Sequence, residues 1–237
     1  MSSGFLLIDK PAGITSHDVI DRLRRATGIR KIGHAGTLDP FATGLLLVAV
    51  ERSATKHLDK LVGMDKTYEA EFILGATTPT LDPESAIVED VQSVENVDAN
   101  GIKAAMSQLT GNIEQIPPMH SAIKVGGKKL YELARKGQEI ERKPRPVTIR
   151  DFSLLGEIRS EDGKLILPVH ISCSSGTYVR ALARDLAEAL GTIGYCRALR
   201  RSSIGPFNVS TAATLDEINA DNWSEWLKSP QEMGIDA

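Results

Sequence analysis

The sequence predicts an α+β fold with a central, largely antiparallel mixed sheet flanked by helices. Three observations support this prediction: short apolar runs of strand length, segments that alternate with a period of two, and segments with helical periodicity. Strand and helix segments follow one another irregularly, and some neighbouring strands are separated only by turns, as in antiparallel hairpins. The 237 residues, 41% hydrophobic and 25% charged, are enough for one large globular domain or two small ones.

The first helix has the clearest boundaries. Val19, Ile20 and Leu23 form its apolar stripe, Thr15 and Asp18 have the spacing of a capping box, and Gly28 is a natural end. Further helices are predicted over 56–62, 101–109, 129–136, 178–190, 215–218 and 223–227. Strands are predicted over 5–9, 45–50, 66–74, 113–116, 145–155, 164–173 and 195–204.

The most informative stretch is KIGHAGTLDPFATGL, residues 31–45. Its three glycines allow tight turns and close approach of another chain, and Pro40 biases Asp39 away from helical geometry. We therefore expect Asp39 on a stiff loop before the apolar strand 45–50. A carboxylate held in this way suits a nucleophile or an acid–base group. Spacing alone, however, favours an ordinary Asp-Pro turn that ends at a strand.

The charge distribution is uneven along the chain. The net charge is −3, but nine Lys and Arg face three acids between His120 and Arg150, a local charge of +6. The segment from Asp82 to Asp98 has six acids and no base. This asymmetry predicts a basic face that suits a nucleic acid backbone, although a solvated charged surface explains it equally well.

Several classes of protein are disfavoured. The two cysteines, Cys173 and Cys196, form no CxxC pair, and the five histidines lack metal-ligand spacing. The apolar runs are too short to span a bilayer, and the first residues lack the pattern of a signal peptide. We therefore expect a cytoplasmic protein with no metal site and no contact with a membrane.

The stretch GHAGTLDPFATGLL closely resembles the signature loop of the TruB family of tRNA pseudouridine synthases. Matching family segments read LLIDKPAGITSHDV, MDKTYEAEF, GNIEQIPPMHSAIKVGGKKLYELARKG, CSSGTYVRALARDL and CRALRRSSIG. The resemblance implies the pseudouridine synthase fold. It also implies an isomerase that converts the T-loop uridine of tRNA, uridine-55, to pseudouridine by base flipping, without metal or cofactor.

The resemblance assigns three catalytic residues. Asp39 is the nucleophile, and Arg180 is the cation that keeps this carboxylate ionised. An arginine beside the apolar stripe of a helix is costly unless it is paired, which favours the same partnership. Tyr68 packs on the target uracil and takes part in the final proton removal, although its alternating strand also suits an ordinary core aromatic.

Four further residues are expected to bind substrate. By resemblance, His34 helps to hold the flipped-out nucleotides, and an imidazole on such a loop could stack on a base. Tyr178 and Leu199 belong to the same set, with Leu199 against the uracil, and the apolar pattern around Leu199 also suits the core. Lys10 ends the first strand, and we expect its side chain to support the Asp39 loop.

The RNA-binding prediction rests on the basic segment. We expect a basic RNA-contacting insertion over about 112–150, in which Lys124, Lys128 and Lys129 contact the RNA backbone. The expected partner is the T-arm stem-loop of tRNA. No obligate protein partner is expected, and the protein should act as a monomer.

The chain departs from the family pattern in two places. Many relatives have an aspartate where this chain reads Thr78-Pro79-Thr80, with Asp82 slightly later, and we assign no role to this segment. The chain also contains no sequence for a C-terminal PUA domain, so we expect a single catalytic domain over 1–237.

Two other functions stay open. The protein could modify another RNA, as guide-directed relatives do, but those carry terminal extensions for protein partners that are absent here. It could also be a non-catalytic RNA-binding or tRNA-folding module. Binding alone does not require an ionised carboxylate that faces a polyanion, which argues against this second alternative.

Overall fold

A computed structural model describes residues 3–121, 124–125, 128–130, 133, 138 and 140–235. The chain divides into two compact units, Met1–Tyr68 with Leu199–Ala237, and Glu69–Ala198. The α-helices are α1 (Ser16–Thr27), α2 (Arg52–Thr55), α3 (Leu58–Val62), α4 (Ala99–Gln108) and α5 (Val179–Ala189). None of the described helices has both the length and the apolar composition to cross a bilayer.

The described strands range in length from two to eleven residues. They are β1 (Gly4–Lys10), β2 (Ile32–Ala35), β3 (Thr43–Val50), β4 (Lys66–Leu74), β5 (Ala76–Thr77), β6 (Val88–Glu89), β7 (Gly111–Gln115), β8 (Lys124–Val125), β9 (Lys128–Lys129), β10 (Arg145–Leu154), β11 (Arg159–Glu161), β12 (Lys164–Cys173), β13 (Gly194–Ile204), β14 (Phe207–Asn208) and β15 (Ala213–Thr214). Short 3-10 turns cover Val91–Val94, Val209–Thr211 and Trp223–Trp226.

In the first unit the strand order is β15–β1–β3–β13, with β2 on β3 and β14 on β13. β1 runs antiparallel to β3 along its whole length, from Gly4 opposite Val50 to Lys10 opposite Gly44. β15 pairs parallel with β1, and β13 pairs parallel with the beginning of β3. The sheet is therefore mixed, as the sequence predicts.

The alternation of side chains along β3 explains its unbroken apolar run. Leu45 and Leu47 belong to one buried cluster, whereas Leu46 and Val48 belong to another. Because successive strand residues point to opposite faces, β3 is buried on both sides. The second cluster also contains the apolar stripe of α1, which covers one face of the sheet.

Helix α1 begins and ends as its sequence predicts. The backbone N–H of Asp18 donates to Thr15 Oγ1 at 3.1 Å, and the Thr15 N–H donates to Asp18 Oδ2 at 2.8 Å. This reciprocal pair satisfies two N–H groups that have no partner within the helix. Gly28 ends the helix with a left-handed backbone.

In the second unit the strand order is β4–β12–β10–β7, and β11 extends β12. β10 is antiparallel to both of its neighbours, with an irregularity in register between Ile149 and Asp151. The rings of Phe72 and Phe152 meet edge to face, with centroids 6.0 Å apart. Helix α4 contacts both α5 and β10.

The strands predicted over 66–74 and 164–173 are confirmed at both ends. The helix predicted over 56–62 begins two residues later than expected, as α3, and the separate short helix α2 precedes the predicted range. The helix predicted over 215–218 is wrong, because residues 215–217 form a turn after β15. There Glu217 accepts from the Thr214 N–H and hydroxyl at 2.7 and 2.8 Å. The helix predicted over 129–136 lies largely outside the described residues.

Gly44 should tolerate no side chain. Its φ is +104°, and an added Cβ would lie 2.3 Å from the carbonyl oxygen of Arg201 on the paired strand. We expect Gly44→Ala to lower the free energy of unfolding by at least about 3 kcal/mol, because backbone strain and a main-chain clash add together. Urea unfolding followed by circular dichroism measures this loss.

Gly28→Ala is the matched control, because Gly28 has a φ of +70° but nothing within 4 Å of an added Cβ. It should cost only about 1 to 2 kcal/mol, the strain of the backbone alone. Equal losses in the two variants would contradict the close approach of β13 to Gly44.

Candidate active site

Asp39 lies on the loop between β2 and β3, which we call the Asp39 loop (residues 36–42). The residue is half-buried and has no helical or strand geometry, in agreement with the sequence prediction. The loop begins at Gly36, whose φ is +86°. The N–H of Ala42 donates to the carbonyl of Asp39 at 3.1 Å and closes a tight turn.

A buried serine holds the residue before Asp39. The Leu38 N–H donates to Ser16 Oγ at 2.9 Å, and the same hydroxyl donates to the Leu38 carbonyl at 3.1 Å. One side chain therefore satisfies both main-chain groups of Leu38. Since Ser16 is fixed at the start of α1, the helix sets the position of the loop.

A buried lysine holds the residue after Asp39. Lys10 Nζ donates to the Pro40 carbonyl at 3.2 Å, and also to the carbonyls of Pro11 and Ile14 at 2.9 and 2.8 Å. The Gly13 N–H donates to the same Pro40 carbonyl at 2.8 Å. Lys10 is fully buried, so these carbonyls replace the water that an ammonium group normally binds. The backbone is fixed on both sides of Asp39, and a carboxylate held in this way can attack an electrophilic carbon with little reorganisation.

His34 lies on β2, opposite Val48 of β3, and precedes the Asp39 loop. Burial lowers the pKa of its imidazole, and the positive charges of Arg201 and His17 lower this pKa further, against a smaller opposite effect of the Gly36 backbone. Its Nδ1 is buried without a hydrogen-bond partner among the described residues. This lowering of the pKa favours the neutral form of the imidazole.

Leu199 and Tyr68 lie on adjacent strands of the first unit, and both are buried. Arg200 pairs with Thr43, so Leu199 lies level with the end of the Asp39 loop. Ser202 Oγ donates to the carbonyl of Thr67 at 3.3 Å, which aligns β13 with the beginning of β4 next to Tyr68. The first unit thus places Leu199 level with the end of the Asp39 loop and Tyr68 on the next strand of the sheet.

Arg180 lies in the second unit, at the second residue of α5, and it is buried. Its Nη1 donates to Asp82 Oδ2 at 2.7 Å and to the Thr80 carbonyl at 2.7 Å. Its Nη2 donates to the His120 carbonyl at 2.8 Å. Asp82 is also buried, and it accepts from the Thr80 hydroxyl at 2.5 Å and the Glu84 N–H at 3.0 Å. The expected pairing of Arg180 with Asp39 stays a prediction.

Tyr178 is the N-cap residue of α5, and a buried glutamine holds its main chain. The Tyr178 N–H donates to Gln115 Oε1 at 2.8 Å, and Gln115 Nε2 donates to the Tyr178 carbonyl at 3.2 Å. Gln115 comes from the end of β7. The start of α5, with Tyr178 and Arg180, is therefore fixed from two sides within the second unit.

The basic segment is described only in part. Lys124 lies on β8 and pairs with Lys129 of β9, and Val125 pairs with Lys128. These backbone pairs form a small hairpin in the second unit. The expected contacts of Lys124, Lys128 and Lys129 with an RNA backbone stay predictions.

Three polar residues with evident roles were missed by the sequence analysis: Ser16, Asp82 and Gln115. Ser16 and Asp82 are assigned no role in the site by the sequence analysis. Gln115 sits in a short strand, next to Pro-rich sequence, where nothing distinguishes it from a surface residue. The signal for Asp82 was its place two residues after Thr80, close to where many relatives have an acid.

Comparison with protein families identifies the chain. A model of the TruB family pseudouridylate synthase N-terminal domain matches residues 24–179, and a model of the tRNA pseudouridylate synthase B C-terminal domain matches residues 180–231. A relative from Thermobifida fusca, named tRNA pseudouridine synthase B, is 46% identical over 224 residues, 93% of this chain and 76% of the relative. A relative of the same name from Mycobacterium tuberculosis is 48% identical over 215 residues, which are 91% of this chain and 71% of the relative.

Solved structures support the same conclusion. The crystal structure of a Cbf5–Nop10–Gar1 complex matches with a TM-score of 0.68 and 29% identity, over 98% of this chain and 57% of that chain. The structure of an H/ACA RNP bound to a substrate RNA containing 2′-deoxyuridine matches with a TM-score of 0.65 and 26% identity, over 98% of this chain and 56% of that chain. This chain spans little more than half of those two chains. The predicted α+β pseudouridine synthase fold is confirmed, and the chain belongs to the TruB family of pseudouridylate synthases.

Proposed function

We propose that the protein is an isomerase that converts uridine-55 in the T-loop of tRNA to pseudouridine, with Asp39 as nucleophile. Relatives that are 46–48% identical over most of the chain bear the name tRNA pseudouridine synthase B, which supports tRNA as the substrate. The observation that carries the mechanism is the immobilised backbone on both sides of Asp39, held by Ser16 and Lys10.

The reaction breaks the N1–C1′ glycosidic bond, turns the uracil and joins C5 to C1′. Neither oxidation nor reduction occurs, and the C5 proton lost at the end balances the proton gained at N1. The Asp39 carboxylate attacks the sugar, or it promotes formation of a glycal, in the way that glycosidase carboxylates stabilise an oxocarbenium-like centre. Tyr68 packs on the uracil and takes part in removal of the C5 proton.

The uridine must leave the base stack before the carboxylate reaches it, at a cost of a few kcal/mol. Stacking on a neutral His34 ring offsets part of this cost, and contacts with Tyr178 and Leu199 offset more. Burial lowers the pKa of His34, which favours the neutral ring, and a neutral imidazole loses less hydration on stacking than a protonated one. Phosphate contacts from the basic segment supply the rest of the binding free energy.

Two observations favour this function over the alternatives. The identity to the solved complexes is 26–29%, well below the 46–48% to tRNA pseudouridine synthase B, which favours tRNA modification over guide-directed modification. A module that only binds RNA gains nothing from a half-buried acid on an immobilised loop, because a carboxylate repels the phosphate backbone. Purified protein and an unmodified tRNA transcript, without guide RNA or partner protein, are therefore the appropriate test.

The first prediction concerns Asp39. Asp39→Asn keeps the size and most hydrogen bonding but removes the charge, so the single-turnover rate should fall at least about 1,000-fold while RNA affinity stays within a few-fold. Pseudouridine is mapped by position in the transcript after incubation with saturating enzyme. Asp59→Asn, the same change on an exposed residue of α3, is the control and should keep the wild-type rate. Substantial activity of Asp39→Asn, after deamidation is excluded by mass spectrometry, would remove Asp39 from the central role.

The second prediction concerns the ion pair of Arg180 and Asp82. Arg180 Nη1 lies 2.7 Å from Asp82 Oδ2, and both side chains are 4% exposed or less. Arg180→Ala leaves a buried carboxylate without this partner and should lower the free energy of unfolding by about 3 to 5 kcal/mol. The double variant Arg180→Met with Asp82→Asn should recover much of the stability, because no unpaired charge is left. Its single-turnover rate should stay low, because the proposal assigns Arg180 to catalysis.

Arg184→Ala is the control, since Arg184 lies one turn further along α5 and is outside the proposed machinery. The rate of each variant is measured against pH. If Arg180 also keeps Asp39 ionised, its loss should raise the apparent pKa of the acidic limb, so that activity disappears at higher pH than in the wild type. Recovery of the rate together with stability in the double variant would make Arg180 purely structural.

The third prediction concerns the basic segment. RNA affinity should fall steeply with salt, and reversing Lys128 and Lys129 to glutamate should reduce the slope of log affinity against log salt by about 2. Reversal of Lys103 and Lys228, which lie outside the segment, is the matched control and should leave the slope close to that of the wild type. Equal slopes for the two double variants would place the RNA elsewhere.

A further inference from the structure

Arg201 is a buried arginine that contacts the first residue of the Asp39 loop and the strand that follows the loop. It lies on β13 in the first unit and is 1% exposed, one of the largest fully buried side chains among the described residues. Its Nε donates to the Leu45 carbonyl at 2.7 Å, and its Nη2 donates to the Gly36 carbonyl at 3.2 Å. These two carbonyls lie before and after Asp39 in the sequence, so a single rigid guanidinium joins the start of the loop to β3.

The main chain of Arg201 fixes the same loop. Arg201 is paired with Gly44 in the parallel register of β13 and β3. An added Cβ at Gly44 would lie 2.3 Å from the Arg201 carbonyl oxygen, and one at Gly36 would lie 3.6 Å from Arg201 Nη1. Arg201 therefore comes close to the main chain at Gly36, where the loop begins, and at Gly44, just after the loop.

Core packing alone does not account for an arginine at this position. A buried guanidinium costs several kcal/mol of desolvation, whereas leucine or methionine would fill a similar volume without that cost. The positive charge of Arg201 also affects a neighbouring residue, since it is one of the causes that lower the pKa of His34. What an apolar residue lacks is the planar fork of donors that holds two carbonyls at a set separation.

We propose that Arg201 is a positioning residue for catalysis, whose guanidinium joins the Gly36 and Leu45 carbonyls and sets the place from which Asp39 acts. Its contacts are distinct from those of Ser16 and Lys10, which hold the two residues adjacent to Asp39. Those contacts fix the tip of the loop, and Arg201 fixes its first residue relative to β3. This inference rests on the proposed function of Asp39.

The test compares Arg201→Met, which lacks the fork and the charge, with Arg201→Lys, which keeps the charge but lacks the planar fork of donors. A small displacement of a reacting group reduces rates about 100-fold, and we expect a loss of this size in the single-turnover rate of Arg201→Met. Arg201→Lys should recover only part of it. RNA affinity should stay within about threefold for both, because phosphate contacts elsewhere dominate binding.

Ile218→Ala is the control for a general loss of stability, because Ile218 is buried in the first unit in the cluster with α1. At a temperature where each variant is folded, this control should keep the wild-type rate. Amide hydrogen exchange supplies a readout that does not depend on activity. The N–H groups of Leu38 and Ala42 should exchange faster in Arg201→Lys than in the wild type. Their exchange rates should be unchanged in Ile218→Ala.

The proposal is overturned if folded Arg201→Lys and Arg201→Met both keep rates within about threefold of the wild type, less than the effect of one misplaced reacting group. It is also overturned if Ile218→Ala matches their losses in rate and in exchange protection. If Arg201→Met does not fold, Arg201→Lys decides between these outcomes. A wild-type protein that forms no pseudouridine would refute the proposed function instead, and the exchange experiment would still test the role of Arg201 in ordering the loop.

Discussion

The burial of cationic side chains against main-chain carbonyls is the constraint on which the candidate site depends. Lys10 and Arg201 are both almost fully buried, and both bind carbonyl oxygens of the Asp39 loop or of its flanks. Ordering each loop residue costs about 1 to 2 kcal/mol of conformational entropy. Hydrogen bonds to charged groups contribute about 1.5 to 3 kcal/mol each, so a few of them offset the cost of an immobile loop.

The two units hold their site residues by the same device. Ser16 accepts from and donates to the main chain of Leu38, the neighbour of Asp39. Gln115 does the same for the main chain of Tyr178 at the start of α5. In each case one buried polar side chain, on a different element from the residue it holds, satisfies an N–H and a carbonyl together. Such bonds fix position more strictly than apolar packing does, because hydrogen bonds are directional.

Sequence alone predicts the parts of this structure that depend on local periodicity. Strand β4 alternates with a period of two, and its limits, Lys66–Leu74, follow from that pattern. The capping box at Thr15 is equally local, because all its partners lie within one turn. The stiff loop around Asp39 follows from its glycines and Pro40, and the resemblance to a family supplied the role of the acid.

The parts that could not be predicted depend on contacts between distant residues. Asp82 meets Arg180 across 98 residues of sequence, and Gln115 meets Tyr178 across 63. In a sequence, such polar residues look like surface residues, since their burial is visible only once the fold brings the partners together. The helix predicted over 215–218 fails for a related reason, because spacing alone does not show from which local structure an apolar residue reaches the core. Leu215 and Ile218 have helical spacing but pack into the core from a turn.

The first unit is built from both ends of the chain, which affects how it can form during synthesis. β1 pairs with β15, and the Phe5 main chain is bridged to Lys228. At translation rates of 5–20 residues per second, β1 leaves the ribosome on the order of ten seconds or more before these partners exist. The unit Glu69–Ala198 is continuous in sequence, so its strands are all made within a shorter stretch of chain. β1 meets β3 early, but its other edge stays unpaired until β15 is made, and an unpaired strand edge is a part of the nascent chain with good reason to be bound by a chaperone.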